Sequence, residues 1–185
     1  MLLALVGVTG IGKSYYVDKI VKEKGFKKVR TIRTREKRKG EVDGKDGLFL
    51  STDELDKLDK EGKIAYRFSV FGGEYAYLKE DIFSKDNMVF EMYYKTINDW
   101  KKVAPNVKTI YLLPKDLEKA KDKTRQRNLS EEKLAERLQE IDEHYNTFMN
   151  NKSLQDLFDV KVYNNYDIES DNNLMAEVDK LLQGA

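Results

Sequence analysis

Three short apolar runs, at residues 2–6, 88–92 and 109–113, stand out from an otherwise polar chain. Their length and unbroken apolar character suit strands buried on both faces of a parallel sheet. The first opens into a glycine loop and then an amphipathic helix over about 13–24, with Tyr16, Ile20 and Val21 turned inward and Gly25 as its stop. A helix near 96–103 follows the second run and is broken by Pro105, while Pro114 ends the third run. Helical patterning resumes near Asp116 and runs to about Asn150, interrupted near Asn128 and Leu129. Residues 158–163 read as a last strand and 174–182 as a last helix. Strands and helices in this alternation predict an α/β fold, a parallel sheet flanked by helices.

The stretch from 33 to 82 departs from that rhythm. A short strand over 28–32 leads into a polar segment, 33–47. Ser51-Thr52-Asp53-Glu54 carries the pattern of a helix start, with Leu55 and Leu58 on the buried face. Residues 64–71 and 75–78 alternate as strands joined across Gly72-Gly73. The expected organisation is one domain, 1–185, with a core of 1–32 and 83–185 and a strand-rich insertion at 33–82. No internal repeat or low-complexity linker interrupts it.

Charge and composition narrow the chemistry. Across 185 residues, 34 basic side chains nearly cancel 33 acidic ones, so no overall field favours a nucleic-acid partner. No apolar run approaches the ~20 residues that cross a bilayer, so no membrane partner is expected. The apolar start lacks a basic leader and runs straight into the glycine motif, which reads as a strand and not a signal peptide. Cysteine is absent, excluding disulfides, thiolate metal sites and cysteine catalysis. With a single histidine, His144, a histidine metal cluster or Ser–His–Asp chemistry is not expected, and His144 reads as a surface or packing residue. Trp100, Tyr93 and Tyr94 read as core or rim aromatics. Cytoplasmic residence fits all of this, with monomer and homodimer both open.

The strongest motif is Gly7-Val8-Thr9-Gly10-Ile11-Gly12-Lys13-Ser14, a full G-x-x-x-x-G-K-[ST] between a buried strand and an amphipathic helix. Glycines let the backbone curl until successive N–H groups face phosphate oxygens, and the helix start adds its positive end. Lys13 would reach the β- and γ-phosphates and the Ser14 hydroxyl would hold Mg²⁺. An ordinary glycine-rich strand-to-helix turn is the bland alternative.

Beyond it, Arg30, Arg33, Arg35, Lys37, Arg38 and Lys39 crowd one segment, with Glu41, Asp43 and Asp46 following at once. No aromatics interleave, as a nucleic-acid surface would want; a solvated loop or an arginine clamp for an anion remain. The order Thr34-Arg35-Glu36-Lys37-Arg38-Lys39-Gly40-Glu41, continuing to Asp46, resembles the monophosphate-binding segment T-R-x-P-R-x-G-E-x-x-G-x-D-Y-x-F of the guanylate kinase family. Arg35, Arg38 and Glu41 fall on matching positions, and Thr31 on the family's serine or threonine near guanine. Gly72-Gly73-Glu74-Tyr75-Ala76 is similar to the family's G-N-x-Y-G turn, which makes Tyr75 the phosphate-binding tyrosine. The stretch from Asp116 to Arg127, followed by Ser130-Glu131-Glu132 and Arg137-Leu138, is similar to the family's lid, placed here at 121–138. Val162-Tyr163-Asn164-Asn165 resembles the late strand ending in V-N-D, whose asparagine lies near the adenine.

The resemblance implies a P-loop NTPase fold with an inserted monophosphate-binding subdomain and a helical lid. It implies a kinase that moves the γ-phosphoryl group of ATP, with Mg²⁺, onto a nucleoside monophosphate, GMP or dGMP. Lys13, Arg125, Arg127 and Arg137 would be catalytic. Gly7, Thr9, Gly10, Gly12, Lys13, Ser14 and Asn164 would bind ATP, with Ser14 on the metal. Thr31, Arg35, Arg38, Glu41, Tyr75 and Glu91 would hold the monophosphate. Glu91 could equally be a capping or surface acid at a strand end.

Departures accompany the resemblance. The tyrosine of D-Y-x-F is Gly47, the proline of T-R-x-P-R is Lys37, and the family's guanine-reading acid aligns near Tyr66, with no carboxylate between Gly62 and Gly73 unless Glu74 shifts into the role. The family's D-x-D is Glu91-Met92-Tyr93. An altered or relaxed base preference is therefore expected. Two other readings stay open. A non-catalytic binding module of the same fold is opposed by the intact Gly12-Lys13-Ser14. A P-loop kinase for another small acceptor would still, on Arg35 and Arg38, take one that carries phosphate.

Overall fold

A computed structural model describes residues 1–37, 40–70 and 72–184. In chain order the elements are β1 (Leu2–Gly7), α1 (Lys13–Lys24), β2 (Lys27–Lys28), β3 (Thr31–Arg33), β4 (Leu48–Phe49), α2 (Thr52–Lys60), β5 (Ile64–Val70), β6 (Gly73–Leu78) and α3 (Lys79–Ile82). They continue with β7 (Met88–Glu91), α4 (Ile97–Val103), β8 (Lys108–Pro114), α5 (Leu117–Arg125), α6 (Glu131–Met149), α7 (Lys152–Gln155), β9 (Val160–Asn164) and α8 (Ile168–Gln183). The three apolar runs form β1, β7 and β8, the middle of a five-stranded sheet ordered β2–β7–β1–β8–β9 with every neighbouring pair parallel.

Alternation along β1 sends side chains to both faces. Leu3 and Leu5 pack with Val17 and Ile20 of α1 and Leu174 and Val178 of α8. Ala4 and Val6 pack on the other face with Phe90, Trp100, Tyr111 and Phe148. Val17 joins Tyr16 and Ile20 in the core, leaving Val21 at its margin. Helix α8 begins at Ile168, earlier than its apolar pattern suggests, because Asp167 caps it by accepting from the Ser170 N–H.

The strand expected over 28–32 is two strands in two sheets. Lys27 and Lys28 pair with β7, and the chain then crosses so that Thr31–Arg33 pairs with β6 and β4. At the crossing, Asp81 accepts from the Arg30 backbone N–H at 2.8 Å and from its guanidinium at 2.6 Å, so the backbone that leaves the first sheet stays satisfied. The second sheet runs β4–β3–β6–β5, and β5 and β6 form the expected antiparallel hairpin. It starts at Thr31, ahead of the boundary at 33; Phe71, the far end of the expected strand, lies outside the described residues. Helix α2 starts on a capping box between Ser51 and Glu54 and seals the sheet's own small core through Leu55, Ile32 and Ala76.

His144 is a packing residue, 2% exposed on α6. Its ring stacks on Tyr94 with centroids 3.6 Å apart, and Nε2 shares a 2.8 Å hydrogen bond with the Tyr111 hydroxyl. Burial pushes its pKa from 6.5 down to about 2, with the Lys13 and Lys95 charges adding to the effect. An unfolded chain therefore takes a proton on His144 below pH 6.5 that the folded chain refuses, so stability is lost as pH falls from 6.5. Between pH 7 and pH 5 this costs about 2 kcal/mol. Urea unfolding of wild type and His144→Gln at both pH values should show the variant losing less stability by about that amount; equal losses would show that His144 titrates normally in the fold.

Candidate active site

Strand β1 ends at Gly7 and the loop 8–12 turns into α1. Gly10 and Gly12 hold left-handed φ values of 85° and 93°. At Gly10 a Cβ would strike the Ala120 carbonyl oxygen and lie 2.7 Å from Thr124 Oγ1, so α5 presses directly on the loop. From the other side Asn164, 2% exposed, braces it. Its Nδ2 donates to the Ile11 carbonyl at 2.8 Å, and its Oδ1 accepts from the Tyr16 hydroxyl at 3.0 Å and the Tyr166 N–H at 2.8 Å. Tyr166 itself takes φ 60° and donates its hydroxyl to the Gly10 carbonyl at 3.1 Å. A curl of N–H groups at a helix start, held this way, is built to take phosphate oxygens.

The loop forms one wall of a cleft of about 460 Å³, within the size range of small-molecule sites. Lys13 retains some exposure along its stem, but its ammonium turns into the loop and donates to the Gly7 and Val8 carbonyls at 2.8 and 2.9 Å. Burial lowers its pKa, Glu91 and Glu140 pull it back up, and Arg127 and Arg137 lower it further. Ser14 Oγ donates to Glu91 at 2.7 Å and Thr9 Oγ1 to Glu140 at 3.0 Å, with Arg137 3.9 Å from the same Glu140 oxygen. The Ser14 hydroxyl beside the Glu91 carboxylate is an oxygen donor set that suits a hard cation such as Mg²⁺. No group of three or more histidine or acidic side chains placed to hold a metal ion occurs among the described residues.

The opposite wall comes from the second sheet. Arg35 forms a fork with Glu41 at 2.8 and 2.6 Å, which raises its pKa, with the Tyr75 hydroxyl adding. Its Nε is buried without a hydrogen-bond partner. Strand alternation puts Phe68 beside Tyr75 and Tyr77, stacked on Tyr75 at 5.6 Å and parallel to Tyr93 within 2° at 6.3 Å. Desolvation pushes the Tyr93 hydroxyl up to about 12. Four carboxylates border the cleft, and each is engaged: Glu41 by Arg35, Glu91 by Ser14, Glu140 by Thr9, and Asp46 by the Val42 N–H.

Of the residues singled out in the sequence, Gly7, Thr9, Gly10, Gly12, Lys13 and Ser14 line the cleft. So do Thr31, Arg35, Glu41 and Tyr75 on its far side, Glu91 beside Ser14 on the loop side, and Arg127 and Arg137. Asn164 does not: its amide is spent under the loop. Arg125 does not either, because Asp122 at 2.5 Å and Glu118 at 3.3 Å hold it on the outer side of α5. Arg38 lies outside the described residues. Tyr66 donates its hydroxyl to Asp99 at 2.8 Å, and Glu74 is paired with Arg67 at 2.7 Å, so neither position offers a carboxylate to the cleft. Sequence reading missed Arg33, Phe68, Tyr77, Tyr93 and Glu140 as cleft residues. Glu140 follows Arg137 by three positions on one helix face, so helical periodicity pointed to it, whereas Phe68, Tyr77 and Tyr93 come from two strands and the turn after β7 and meet only in the fold.

The family model described as "Guanylate kinase" matches residues 1–181. The chain is similar to guanylate kinase from Streptococcus thermophilus (strain CNRZ 1066), 29% identical over 146 residues, covering 75% of this chain and 70% of that protein. It is 28% identical over 149 residues to guanylate kinase from Lactococcus lactis subsp. lactis (strain IL1403), covering 77% and 73%. The crystal structure of guanylate kinase from Anaplasma phagocytophilum aligns with a TM-score of 0.71 over 96% of this chain and 83% of that one, at 18% identity, a likeness of fold. No helix among the described residues is long and apolar enough to cross a membrane.

Asn164→Ala should remove three hydrogen bonds from beneath the loop and destabilise the fold by about 2–3 kcal/mol in urea unfolding. It should also weaken nucleoside triphosphate binding more than monophosphate binding; unchanged values for both would show the brace to be dispensable.

Proposed function

The chain belongs to the guanylate kinase family, and on that premise we propose that this nucleoside monophosphate kinase moves the γ-phosphoryl group of ATP onto GMP or dGMP, with a weakened hold on which base the acceptor carries. The observation that carries the reading is one cleft with the phosphate loop of Lys13 and Ser14 on one wall and the Arg35 clamp on the other. Two phosphate-bearing substrates brought to opposite walls meet in line, which is most of what phosphoryl transfer asks of a protein.

The loop from Gly7 to Ser14 holds ATP, with Lys13 on its β- and γ-phosphates. Mg²⁺ at the Ser14 hydroxyl and near Glu91 would supply charge neutralisation on those phosphates. Arg35 and the Tyr75 hydroxyl, together with Arg38, hold the acceptor's phosphate, and Glu41 keeps the Arg35 fork in place. An anionic oxygen of that phosphate bonds to the γ-phosphorus as the bond to the β–γ bridging oxygen breaks, leaving ADP. The attacking oxygen is already charged, so no general base is required. Arg127 and Arg137, which also line the cleft, neutralise the charge that develops.

The base end supports the relaxed preference. Its partly exposed aromatics are Tyr75 and Tyr93 beside Phe68, with Tyr77 buried beneath them, and stacking on an aromatic surface tolerates any base. Guanine N1 and N2 need an acceptor, and each carboxylate bordering the cleft already accepts from a residue of the protein, so reading guanine would mean sharing or giving up that contact.

Incubation with Mg-ATP and each common ribo- and deoxymonophosphate should give turnover of GMP or dGMP and of at least one other base within about tenfold in kcat/KM. Sites that read a base by paired hydrogen bonds discriminate by about 10⁴ or more, so a guanine preference of that size would refute the relaxed preference. Lys13→Ala should lose at least about 100-fold in turnover with its thermal melt unchanged; an unaltered rate would remove Lys13 from the chemistry.

A further inference from the structure

We infer that Arg33 is a further anchor for the phosphate group of the acceptor, and this rests on the kinase reading of the cleft. Arg33 ends β3, opposite Tyr75 on β6 and Phe49 on β4, and lines the cleft. Its guanidinium carbon lies 5.8 Å from the Phe49 ring centroid, and that of Arg35 lies 5.6 Å from the same centroid. Two guanidinium ions therefore share one aromatic ring. Arg35 has the Glu41 carboxylate as counter-ion. Arg33 has none among the described residues; its Nη1 donates to the Asp46 backbone carbonyl, which fixes the group without neutralising it.

Space has been kept for this arginine. A Cβ on Gly47 would strike Arg33 Nη1 and come within 2.8 Å of the Thr31 carbonyl oxygen. Gly47 is not in the left-handed region, so close approach of the Thr31 carbonyl and of Arg33 as it is placed, and not backbone conformation, accounts for the glycine. The guanidinium is thus propped by a ring on one side and a carbonyl on another, with most of its five donors unspent among the described residues. Beside it the Arg35 Nε is buried without a partner.

One uncompensated guanidinium beside a second with an orphaned donor calls for negative charge and several acceptor oxygens in one group. A phosphate monoester supplies both. A base carbonyl supplies one acceptor and no charge, which would leave the repulsion between the guanidinium ions standing. Arg33 therefore grips the acceptor through its phosphate, beside Arg35 and the Tyr75 hydroxyl.

Calorimetric binding of GMP, guanosine and ATP to wild type, Arg33→Gln and Arg33→Lys tests this, alongside the KM for GMP. Arg33→Gln should raise the Kd and KM for GMP by about 10- to 100-fold, while the Kd values for guanosine and ATP stay within about twofold. Arg33→Lys should recover part of the loss, keeping the charge without the fork. Equal weakening of GMP and guanosine would assign Arg33 to the base or to the fold, and no change in either would leave it without a ligand role; both results overturn the inference. If wild type binds GMP but never turns it over, the kinase reading fails, and the comparison of GMP with guanosine still decides Arg33.

Discussion

A loop of backbone N–H groups can collect phosphate only if it stays curled with its donors unspent, and in this protein a buried amide joins helix α5 and the Tyr166 hydroxyl in holding the curl. Asn164 reaches from the end of β9 under the loop to the Ile11 carbonyl and ties Tyr16 and Tyr166 into the same junction. Together with α5 packed against Gly10, this junction opposes relaxation of the left-handed backbone at Gly10 and Gly12. The sheet order follows from this need. β1 must be central, because its loop requires β7 on one side to bring Glu91 next to Ser14, and β8 on the other to carry β9 and Asn164. The register that sets Leu5 against Glu91 and Pro114 against Asn164 places both groups.

The second organising feature is how charge is held in the cleft. Lys13 rests on loop carbonyls, Arg35 on Glu41, Arg137 near Glu140, and Ser14 on Glu91. Each is a contact between side chains or with loop carbonyls that phosphate oxygens can take over, exchanging one partner for another without leaving the charge unpaired. The side chains are nonetheless already in position, which saves the entropy of ordering long arginines and lysines when substrates arrive. Arg30 differs in kind. Its fork with the largely buried Asp81 fixes the crossing between the two sheets, and with it the distance between the phosphate loop and the acceptor wall.

Much of this was legible in the chain. Unbroken apolar runs marked the buried parallel strands, and the glycine-lysine-serine motif marked the loop, because each depends on residues adjacent in sequence. The split of 27–33 into β2 and β3 was not legible: Lys28, Val29 and Arg30 look alike whether they pair with one sheet or pass between two, and only Asp81, fifty-one residues on, decides. Asn164 is instructive in another way. Its resemblance to a strand-end asparagine near adenine pointed outward, yet Val162, Tyr163 and Asn164 alternate buried, exposed and buried. That period of two already set Asn164 on the core side with Val162. Arg33 was hidden because the evidence for it is the missing side chain of Gly47, fourteen positions away.

The two walls of the cleft differ in what they can demand of a ligand. The loop wall is backbone, glycine and one lysine, and a substitution at Gly10 would meet Ala120 and Thr124, so its shape has almost no freedom. The acceptor wall is side chains on a small sheet with its own minor core, and tyrosines at 66 and 93 stand where the family resemblance would have placed carboxylates. Tyr66 is spent on Asp99, and Phe68 stacks between Tyr66 and Tyr75. Recognition there rests on arginines for charge and aromatic faces for shape. Such a surface distinguishes a phosphorylated ligand from an unphosphorylated one far better than it distinguishes one base from another, because charge-assisted forks are directional and strong whereas ring stacking tolerates any planar partner. On the proposed reading, then, this chain keeps the family's demand that the acceptor carry a phosphate and loosens its demand for guanine.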